Sequence, residues 1–480
     1  MKKNAFFLAI LGSLVLSSCR NFLELNPEYL ISDQTFYKSQ GDFESALVGV
    51  YGTFRGNYNT SNLQQLAELT TDNAEIQWSS PSADEMQLDQ NGVISTNVFV
   101  RNAWNVNLYT VSKTTALLNR IDAVPFDQAV KDRIKGEAKF LRAFAYFNLV
   151  RLFGNVPLAD REFFSPDEVA AADLSLQPST KVYEVILTDL LSAETLLPAA
   201  VNADKTRASR GTVKALLGKV YLTRREFDKA AAKLKEVVDS RQYSLVPNYP
   251  TLFTNGNNNL AESLLEVQFV AGRGMGNNYS AQFTPAITSM AIFPGNLQGA
   301  GRIVPTLDLM RSYEPGDARR AVSVADSVTL IGGRKSYSRY GLKFVDFRAI
   351  DLADGTVTFT ALRYADVLLM YAEALTELGN LPEALGHLNA VRARARLASL
   401  SGLGQAELRL ALERERRVEL LYEGHRWFDL VRTGRARTVL NAHYASQRQT
   451  FSLDEFELIF PIPQAEVDLN PEKIRQNPGY

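Results

Sequence analysis

The chain has 480 residues, in which 52 lysines and arginines stand against 53 aspartates and glutamates. This balance of charge gives no reason to expect nucleic acid as a partner. A single cysteine excludes a disulfide within the chain, and an apolar fraction of 46% is typical of a folded protein.

The N-terminus has the pattern of a lipoprotein signal peptide. Two lysines precede an uncharged apolar run over residues 5–16, which is shorter than the roughly 20 residues that span a bilayer. Leu16 and two serines stand before Cys19 and resemble a bacterial lipobox. We therefore expect residues 1–18 to be removed as a signal peptide and Cys19 to carry the acyl chains of a membrane anchor. An ordinary secretory signal is the alternative, but Leu16 fits its cleavage pattern less well.

Two long helices are predicted in the first half of the chain. Apolar residues return every three or four positions over residues 102–121 and 130–153. Gly154 and Pro157 are expected to end the second helix. Trp104 lies on the apolar side of the first helix, so it is expected in the core.

Two later stretches have the spacing of tetratricopeptide helix pairs. One contains Leu217, Gly218, Tyr221, Ala230 and Leu234, and the other contains Tyr371, Ala372, Leu375, Ala384 and Leu388. In both, a small residue precedes the alanine by twelve positions, which lets two antiparallel helices approach closely. The expected fold is mostly α: a helical bundle with tetratricopeptide-like helix pairs, whose framework covers about residues 102–240 and 361–440.

The stretch between the two pairs, about residues 245–360, is rich in Gly, Asn and Pro and lacks a helical period. Short strands are expected at residues 263–270 and 343–347 from their β-branched and aromatic content. A long irregular region inside a compact chain is more often functional than idle, so we expect the ligand side of the protein here.

The sequence carries none of the common signatures of catalysis. His387, His425 and His443 are too far apart for a paired helical metal site, and one cysteine cannot build a cysteine-based site. No P-loop, dinucleotide fingerprint or G-x-S-x-G elbow is present. The chain is therefore expected not to be an enzyme and to hold neither a metal nor a cofactor.

The most specific segment spans residues 415–432, where Glu, Arg and Asp recur three or four positions apart. On a helix, this spacing lets opposite charges pair along one face. These charges form either an active site or ion pairs that hold helices together. We favour the ion pairs, because no nucleophile or water-activating group accompanies the charges. The residues in question are Arg416, Glu419, Glu423, Arg426 and Asp429.

This segment, with other landmarks, resembles the SusD/RagB family of outer-membrane nutrient-binding lipoproteins. The landmarks are the start after Cys19, Arg142-Ala143, Arg151-Leu152-Phe153-Gly154, the run over residues 363–374, Pro461-Ile462-Pro463 and the ending Asn477-Pro478-Gly479-Tyr480. The resemblance covers the whole chain and implies a single domain over residues 19–480. It implies a lipid-anchored protein exposed on the outer membrane, which captures an oligosaccharide at its irregular side. It further implies that a SusC-like, TonB-dependent transporter docks at the repeat side and receives the oligosaccharide.

Sugar binding uses flat aromatic faces framed by amide and charged groups. Trp78 is the best tryptophan candidate because loop residues surround it, whereas Trp427 belongs to the charged segment and is expected to pack against neighbouring helices. The other candidates are Tyr279 and Phe283, with the adjacent Asn277 and Asn278, and Tyr58.

Two other functions stay open. One is a member of the same family that binds peptides through the irregular side without an aromatic platform. The other is a membrane-anchored helical-repeat scaffold for protein partners, which leaves the aromatic, Asn-rich region between the repeats without a role.

Overall fold

The computed structural model describes residues 36–480 except for 61, 78–80, 160, 162–167, 169–171, 201–202, 287, 294, 296 and 331. The expected signal peptide, Cys19 and Trp78 lie outside the described residues. The division into a signal peptide and one domain over residues 19–480 therefore stays a prediction.

Helices make up most of the regular structure, and the predicted mostly α fold is confirmed. They are α1 (Gln40–Arg55), α2 (Asn62–Gln64), α3 (Ala83–Asp89), α4 (Val98–Ile121), α5 (Gln128–Phe153), α6 (Ser179–Leu196), α7 (Arg210–Thr223), α8 (Phe227–Asp239), α9 (Tyr279–Phe283), α10 (Leu307–Ser312), α11 (Arg320–Ser323), α12 (Tyr364–Glu377), α13 (Leu381–Arg394), α14 (Gln405–Glu419), α15 (Arg426–Arg432), α16 (Ala436–Ser446) and α17 (Gln464–Leu469). A π-helical turn at Gln65–Leu69 continues α2, and 3₁₀ turns lie at Tyr249–Phe253, Thr288–Ala291 and Phe456–Leu458. Within the described part of the chain, no helix is both long and apolar enough to cross a membrane.

The two long helices form where the sequence predicted them. α4 begins before residue 102 because the side chain of Asn97 accepts hydrogen bonds from the N–H groups of Phe99 and Val100. α5 ends at Gly154, whose φ of 72° suits a residue without a Cβ. Trp104 is fully buried and packs edge-on against Phe153, with ring centroids 5.0 Å apart. This contact confirms that Trp104 belongs to the core.

Both predicted tetratricopeptide-like pairs are present. A turn at residues 224–226 joins α7 to α8, and a turn in which Gly379 has a φ of 80° joins α12 to α13. Gly218 of α7 lies so close to Leu234 of α8 that a Cβ there would be 2.5 Å from the leucine Cγ. The small residue thus allows the close approach that the spacing predicts. α8 packs against α12 and α12 against α14, so the pairs stack side by side.

The strands are short and lie mostly on the loop-rich side. They are β1 (Ala74–Glu75), β2 (Val156–Pro157), β3 (Leu176–Gln177), β4 (Ser263–Val267), β5 (Val304–Pro305), β6 (Val324–Thr329), β7 (Lys335–Gly341) and β8 (Phe359–Arg363). They pair antiparallel, β1 with β5, β2 with β3, β4 with β8 and β6 with β7. The strand expected at residues 263–270 is confirmed as β4.

The strand expected at residues 343–347 is wrong. Phe344 has a left-handed φ of 68°, which a strand does not accommodate. Lys343 is fully buried, and its Nζ lies 2.6 Å from Glu423 Oε1. A buried ion pair fixes this segment in place of β-pairing.

One large apolar cluster runs from α1 to the segment after α17 and includes side chains from the helix pairs and from the loop-rich side. A smaller cluster of Val246, Tyr249 and Leu252 accompanies it. The shared core holds the loops of the irregular side on the rigid helical framework, which fixes the surfaces that those loops present.

Candidate functional site

The charged segment over residues 415–432 forms two helices instead of one. α14 ends at Glu419 and α15 begins at Arg426, with a turn between them in which Tyr422 has a φ of 63°. Because the segment bends there, its acids and bases pair largely with other elements. The expected pairing along a single helix face is corrected accordingly.

Arg363, at the end of β8, is the centre of a buried ion network. Its Nε lies 2.6 Å from Glu423 Oε2, and its Nη1 lies 2.9 Å from Glu262 Oε1. It also pairs with Glu419 of α14. Further guanidinium partners of Glu419 are Arg319 and Arg394. None of these side chains is more than 3% exposed, so the network joins β8, α13, α14 and the residues just before β4 and α11 out of reach of solvent.

A second group of buried ion pairs connects α14 and α15 to their neighbours. Arg416 Nη1 lies 2.8 Å from Asp366 Oδ1 of α12, and its Nε lies 2.8 Å from Asp429 Oδ2 of α15. Arg426 donates two hydrogen bonds of 2.8 Å to the carboxylate of Asp72, which precedes β1. Two parallel hydrogen bonds of this kind fix the relative position of the two elements in addition to pairing the two charges.

These contacts set the ionisation of the buried groups. Burial opposes ionisation of Glu419, but the guanidiniums of Arg394 and Arg363 hold its pKa well below the usual range. Burial, with the ammonium of Lys219 at 3.1 Å, lowers the pKa of His425 to about 3, so this imidazole is neutral. Charges that are already paired hold helices together and are poorly suited to acid–base chemistry near neutral pH. The arrangement agrees with the interpretation of these charges as ion pairs that hold helices together.

The residues that the structure describes contain no group of three or more His, Cys, Asp or Glu side chains that could hold a metal ion. The buried acids Asp72 and Glu423 have arginine and lysine partners.

Three of the aromatic ligand candidates belong to the core. Tyr58 is 2% exposed, and Tyr279 and Phe283 are fully buried. Tyr279 packs against Phe344 with ring centroids 5.7 Å apart, and Phe283 stacks on Tyr422 at 4.7 Å. No face of these rings is open to a sugar, so their interpretation as ligand platforms is corrected to core packing.

The two asparagine candidates bond within the loops. Asn277 is buried, and its side-chain amide donates to the carbonyl oxygen of Val357 at 3.0 Å. Asn278 is partly exposed, and its amide donates to the carbonyl oxygen of Thr60 at 3.2 Å. Both residues hold loops together. Trp78 lies outside the described residues, and its role in binding stays a prediction.

A cleft of about 430 Å³, here the hairpin cleft, lies between α10 and the β6–β7 hairpin. It is lined by Gln77, Leu307, Met310, Arg311, Arg320, Asp326, Tyr337, Ser338 and Arg339. Tyr337 on β7 is 88% exposed. The cleft combines an open aromatic ring and apolar side chains with amide, guanidinium and carboxylate groups, which is the combination that sugar binding requires.

Hydrogen bonds hold the walls of the hairpin cleft in place. Arg339 pairs with Glu75 of β1, and its Nη1 donates to the carbonyl oxygen of Pro305 at 2.6 Å, so the hairpin is tied to the β1–β5 sheet. Ser338 Oγ donates to Gln77 Oε1 at 3.1 Å. The site is therefore largely preformed, as ligand sites usually are.

Two other clefts differ in their lining. One, of about 1080 Å³, lies between α5 and α6 and is lined mainly by charged and polar side chains. The other, of about 470 Å³ and here called the repeat-side cleft, combines ion pairs of α12, α14 and α15 with the apolar side chains of Leu222, Phe227, Ala406 and Leu410. Among the described residues that line them, no aromatic ring is as exposed as that of Tyr337.

Sequence reasoning missed Tyr337. A signal was present, because Lys335, Tyr337 and Arg339 alternate with two serines at the period of a strand. The Gly332-Gly333 pair before them is a hairpin turn signal. Together they indicate a β-ribbon that presents one aromatic ring.

Comparisons with known proteins place the chain among described relatives. The family model described as "SusD family" matches residues 321–480, and the model described as "Starch-binding associating with outer membrane" matches residues 21–222. SusD-like protein P2 of Formosa agariphila is 28% identical over an alignment of 510 positions, which covers 99% of each chain. The starch-binding protein SusD of Bacteroides thetaiotaomicron is 24% identical and aligns with 99% of this chain and 98% of its own.

Solved structures agree with these matches. A laminarin-binding SusD-like protein is 30% identical, with a TM-score of 0.79 over 92% of this chain and 100% of its own. A SusD superfamily protein from Bacteroides vulgatus has a TM-score of 0.80 at 23% identity over 93% of this chain and 100% of its own, and it shows the same fold.

Proposed function

Because the chain belongs to the SusD family of starch- and glycan-binding proteins, we propose that it captures an oligosaccharide at the outer membrane and passes it to a SusC-like, TonB-dependent transporter. The observation that carries the binding step is the hairpin cleft, in which the exposed ring of Tyr337 stands among fixed polar groups. The names of two relatives, a starch-binding and a laminarin-binding protein, support a sugar as the ligand.

The protein is not an enzyme, since the proteins of its family bind carbohydrates without catalysis. The site agrees with this role. The described lining of the hairpin cleft includes one carboxylate, Asp326, whereas most glycoside hydrolases use a pair of carboxyl groups on either side of the scissile bond. Capture and release of an unchanged ligand require only contacts that fit the sugar.

Tyr337→Ala is expected to weaken glycan binding about tenfold or more, which corresponds to about 1.4 kcal/mol, because the apolar face of the sugar loses its platform. The measurement is calorimetry of the purified protein in detergent against a glycan panel, with a peptide panel alongside. Tyr109→Ala is the matched control, since Tyr109 is 57% exposed on α4 and does not line the hairpin cleft. Binding that both variants retain, or that peptides alone show, would contradict the proposed site.

The proposed anchor is an acylated Cys19, which follows the lipobox-like sequence and lies outside the described residues. Several acyl chains hold a protein at a bilayer without a spanning helix. An outer-membrane location is further supported by the family model described as associating with the outer membrane. The anchor would leave the folded part free to sit over a transporter at the cell surface.

The repeat-side cleft is the proposed docking surface for the transporter. Leu410 of α14 lines it and is 55% exposed, and Leu378, at the end of α12, is 50% exposed. A protein partner that covers these side chains would remove their apolar surface from water. The surrounding arginine and glutamate pairs would form a polar rim.

Leu410→Asp is expected to reduce co-purification with the transporter from native membranes about tenfold, because a carboxylate would be buried in an apolar contact. Glycan binding should stay unchanged, since Leu410 is absent from the lining of the hairpin cleft. Val48→Asp on α1, at a residue equally exposed, is the control and should leave co-purification intact. Equal recovery of the transporter with both variants would place the docking surface elsewhere.

A further inference from the structure

The hairpin cleft carries more positive than negative charge. Three of its lining side chains are arginines and one is an aspartate. Arg339 is neutralised by Glu75, and Arg320 Nη2 lies 3.3 Å from Asp326 Oδ2 in an exposed pair. Arg311 of α10 is exposed and has no ion-pair partner within the described part of the chain. One guanidinium at the cleft is therefore available to a ligand.

The hairpin adds further cations beside Tyr337. Residues two apart on a regular strand point to the same face, so Lys335 and Tyr337 share one face of β7, whereas the β6–β7 register shifts between Tyr337 and Tyr340 and interrupts the alternation before Arg339. Lys335 and its neighbour Arg334 are exposed, and among the described residues neither forms an ion pair. The open aromatic ring thus has an ammonium without an ion pair beside it on the same face of β7.

The surplus at this cleft exceeds the balance of the whole chain. The chain as a whole carries a formal net charge of −1, so a general excess of basic residues does not explain it. In the repeat-side cleft, by comparison, Arg409, Arg416 and Arg432 each have a carboxylate partner at 2.8 Å or less, and Arg225 is exposed without an ion pair among the described residues. Unpaired cations at a ligand cleft attract anionic ligands and therefore favour them over neutral ones.

We propose that the ligand of the hairpin cleft is an acidic glycan, whose carboxylate or sulfate groups bind Arg311 and Lys335 while a sugar ring stacks on Tyr337. The proposal rests on the glycan-binding function above and names its ligand class. Arginine suits both kinds of anion, because its planar fork donates two parallel hydrogen bonds to paired oxygens. Lys335, two residues before Tyr337 on β7, adds a point charge of the same sign.

The test is calorimetry with matched glycan pairs that differ only in charge. One pair is oligogalacturonate and its methyl ester, which probes the carboxylate, and the other is a sulfated galactan oligosaccharide and its desulfated form. We expect the protein to bind at least one anionic member about tenfold more tightly than its neutral twin. That preference should shrink as salt rises, because screening weakens exposed charge contacts.

The variant Arg311→Gln combined with Lys335→Gln is expected to remove the preference for the anionic member and to leave binding of the neutral twin unchanged. Arg437→Gln, at an exposed arginine outside the cleft, is the control and should keep the preference. Equal affinity for both members of each pair, still weakened by Tyr337→Ala, would overturn the acidic-glycan proposal and keep the glycan-binding function. Failure of every glycan to bind would overturn the proposed function itself.

Discussion

Arg363→Met is expected to lower the free energy of unfolding by about 3–5 kcal/mol, because it leaves buried carboxylates without their main counter-charge. Among the described residues, Glu423 would keep Lys343 as its ion-pair partner, and Glu262 would keep Arg394. Methionine preserves much of the length and volume of the arginine stem, so the loss would report charge more than packing. Urea unfolding at about pH 7 measures the difference.

Arg437→Met is the matched control for this effect. Arg437 is half-exposed and lies 3.3 Å from Glu455 at the surface, where an ion pair contributes only about 0–1 kcal/mol. Should Arg363→Met fail to fold, Arg363→Lys keeps one charge but loses the forked geometry, and we expect an intermediate loss. A loss for Arg363→Met no greater than that for Arg437→Met would mean that the buried network does not stabilise the fold.

Acidification below about pH 4.5 is expected to destabilise the protein steeply. Burial opposes ionisation of Asp72, Asp366 and Glu419, but neighbouring arginines and a lysine hold their pKa values well below the usual range. A carboxyl group whose pKa is lower in the folded state contributes stability that is present above its unfolded pKa of roughly 4 and is lost as the pH falls toward the folded pKa. With three such groups, the total loss reaches several kcal/mol by about pH 3.

Between about pH 7 and pH 5 opposing groups titrate, and we expect a net gain of stability of about 2 kcal/mol as the pH falls. Burial raises the pKa values of Glu68 and Asp89 to about 7, so the folded state takes up protons first and gains stability as the pH falls. Burial, with Lys219, lowers the pKa of His425 to about 3, so the unfolded state takes up that proton first and the folded state loses stability. The two trends have opposite signs.

Thermal unfolding midpoints at about pH 7, 5, 4 and 3 measure this profile. Asp72→Asn is the informative variant: it should be less stable than wild type at about pH 7, since Arg426 loses its nearest carboxylate and keeps only the longer contact to Glu413, yet decline less steeply below about pH 4.5. The exposed Asp326→Asn should follow the wild-type curve. A midpoint that stays constant down to about pH 3 would contradict the assigned ion pairs.

The framework could be predicted because its signals are local. An apolar residue every three or four positions defined α4 and α5, and small residues at fixed offsets defined the helix pairs. Gly218 shows why the second signal works, since its lack of a side chain is what lets Leu234 of α8 approach. Patterns of this kind depend on neighbours within one or two helices, which lie close in the sequence.

The site could not be predicted in the same way, because exposure depends on partners far along the chain. Tyr279 and Phe283 have the Asn- and Gly-rich flanks of a surface loop, yet rings from Phe344, Phe359 and Tyr422 enclose them. The partners of Arg363 likewise come from residues 262, 419 and 423. No periodicity links such distant positions, so only the folded arrangement separates core rings from the exposed Tyr337.

The claim on which the proposed function depends is that the hairpin cleft holds the sugar. The most direct measurement is a crystal structure of the protein with an oligosaccharide that binds in the calorimetric panel. We expect a sugar ring against Tyr337, with polar atoms of the sugar within hydrogen-bond distance of Arg311 or Gln77. An oligosaccharide found between α5 and α6 or in the repeat-side cleft, with the hairpin cleft empty, would contradict that claim.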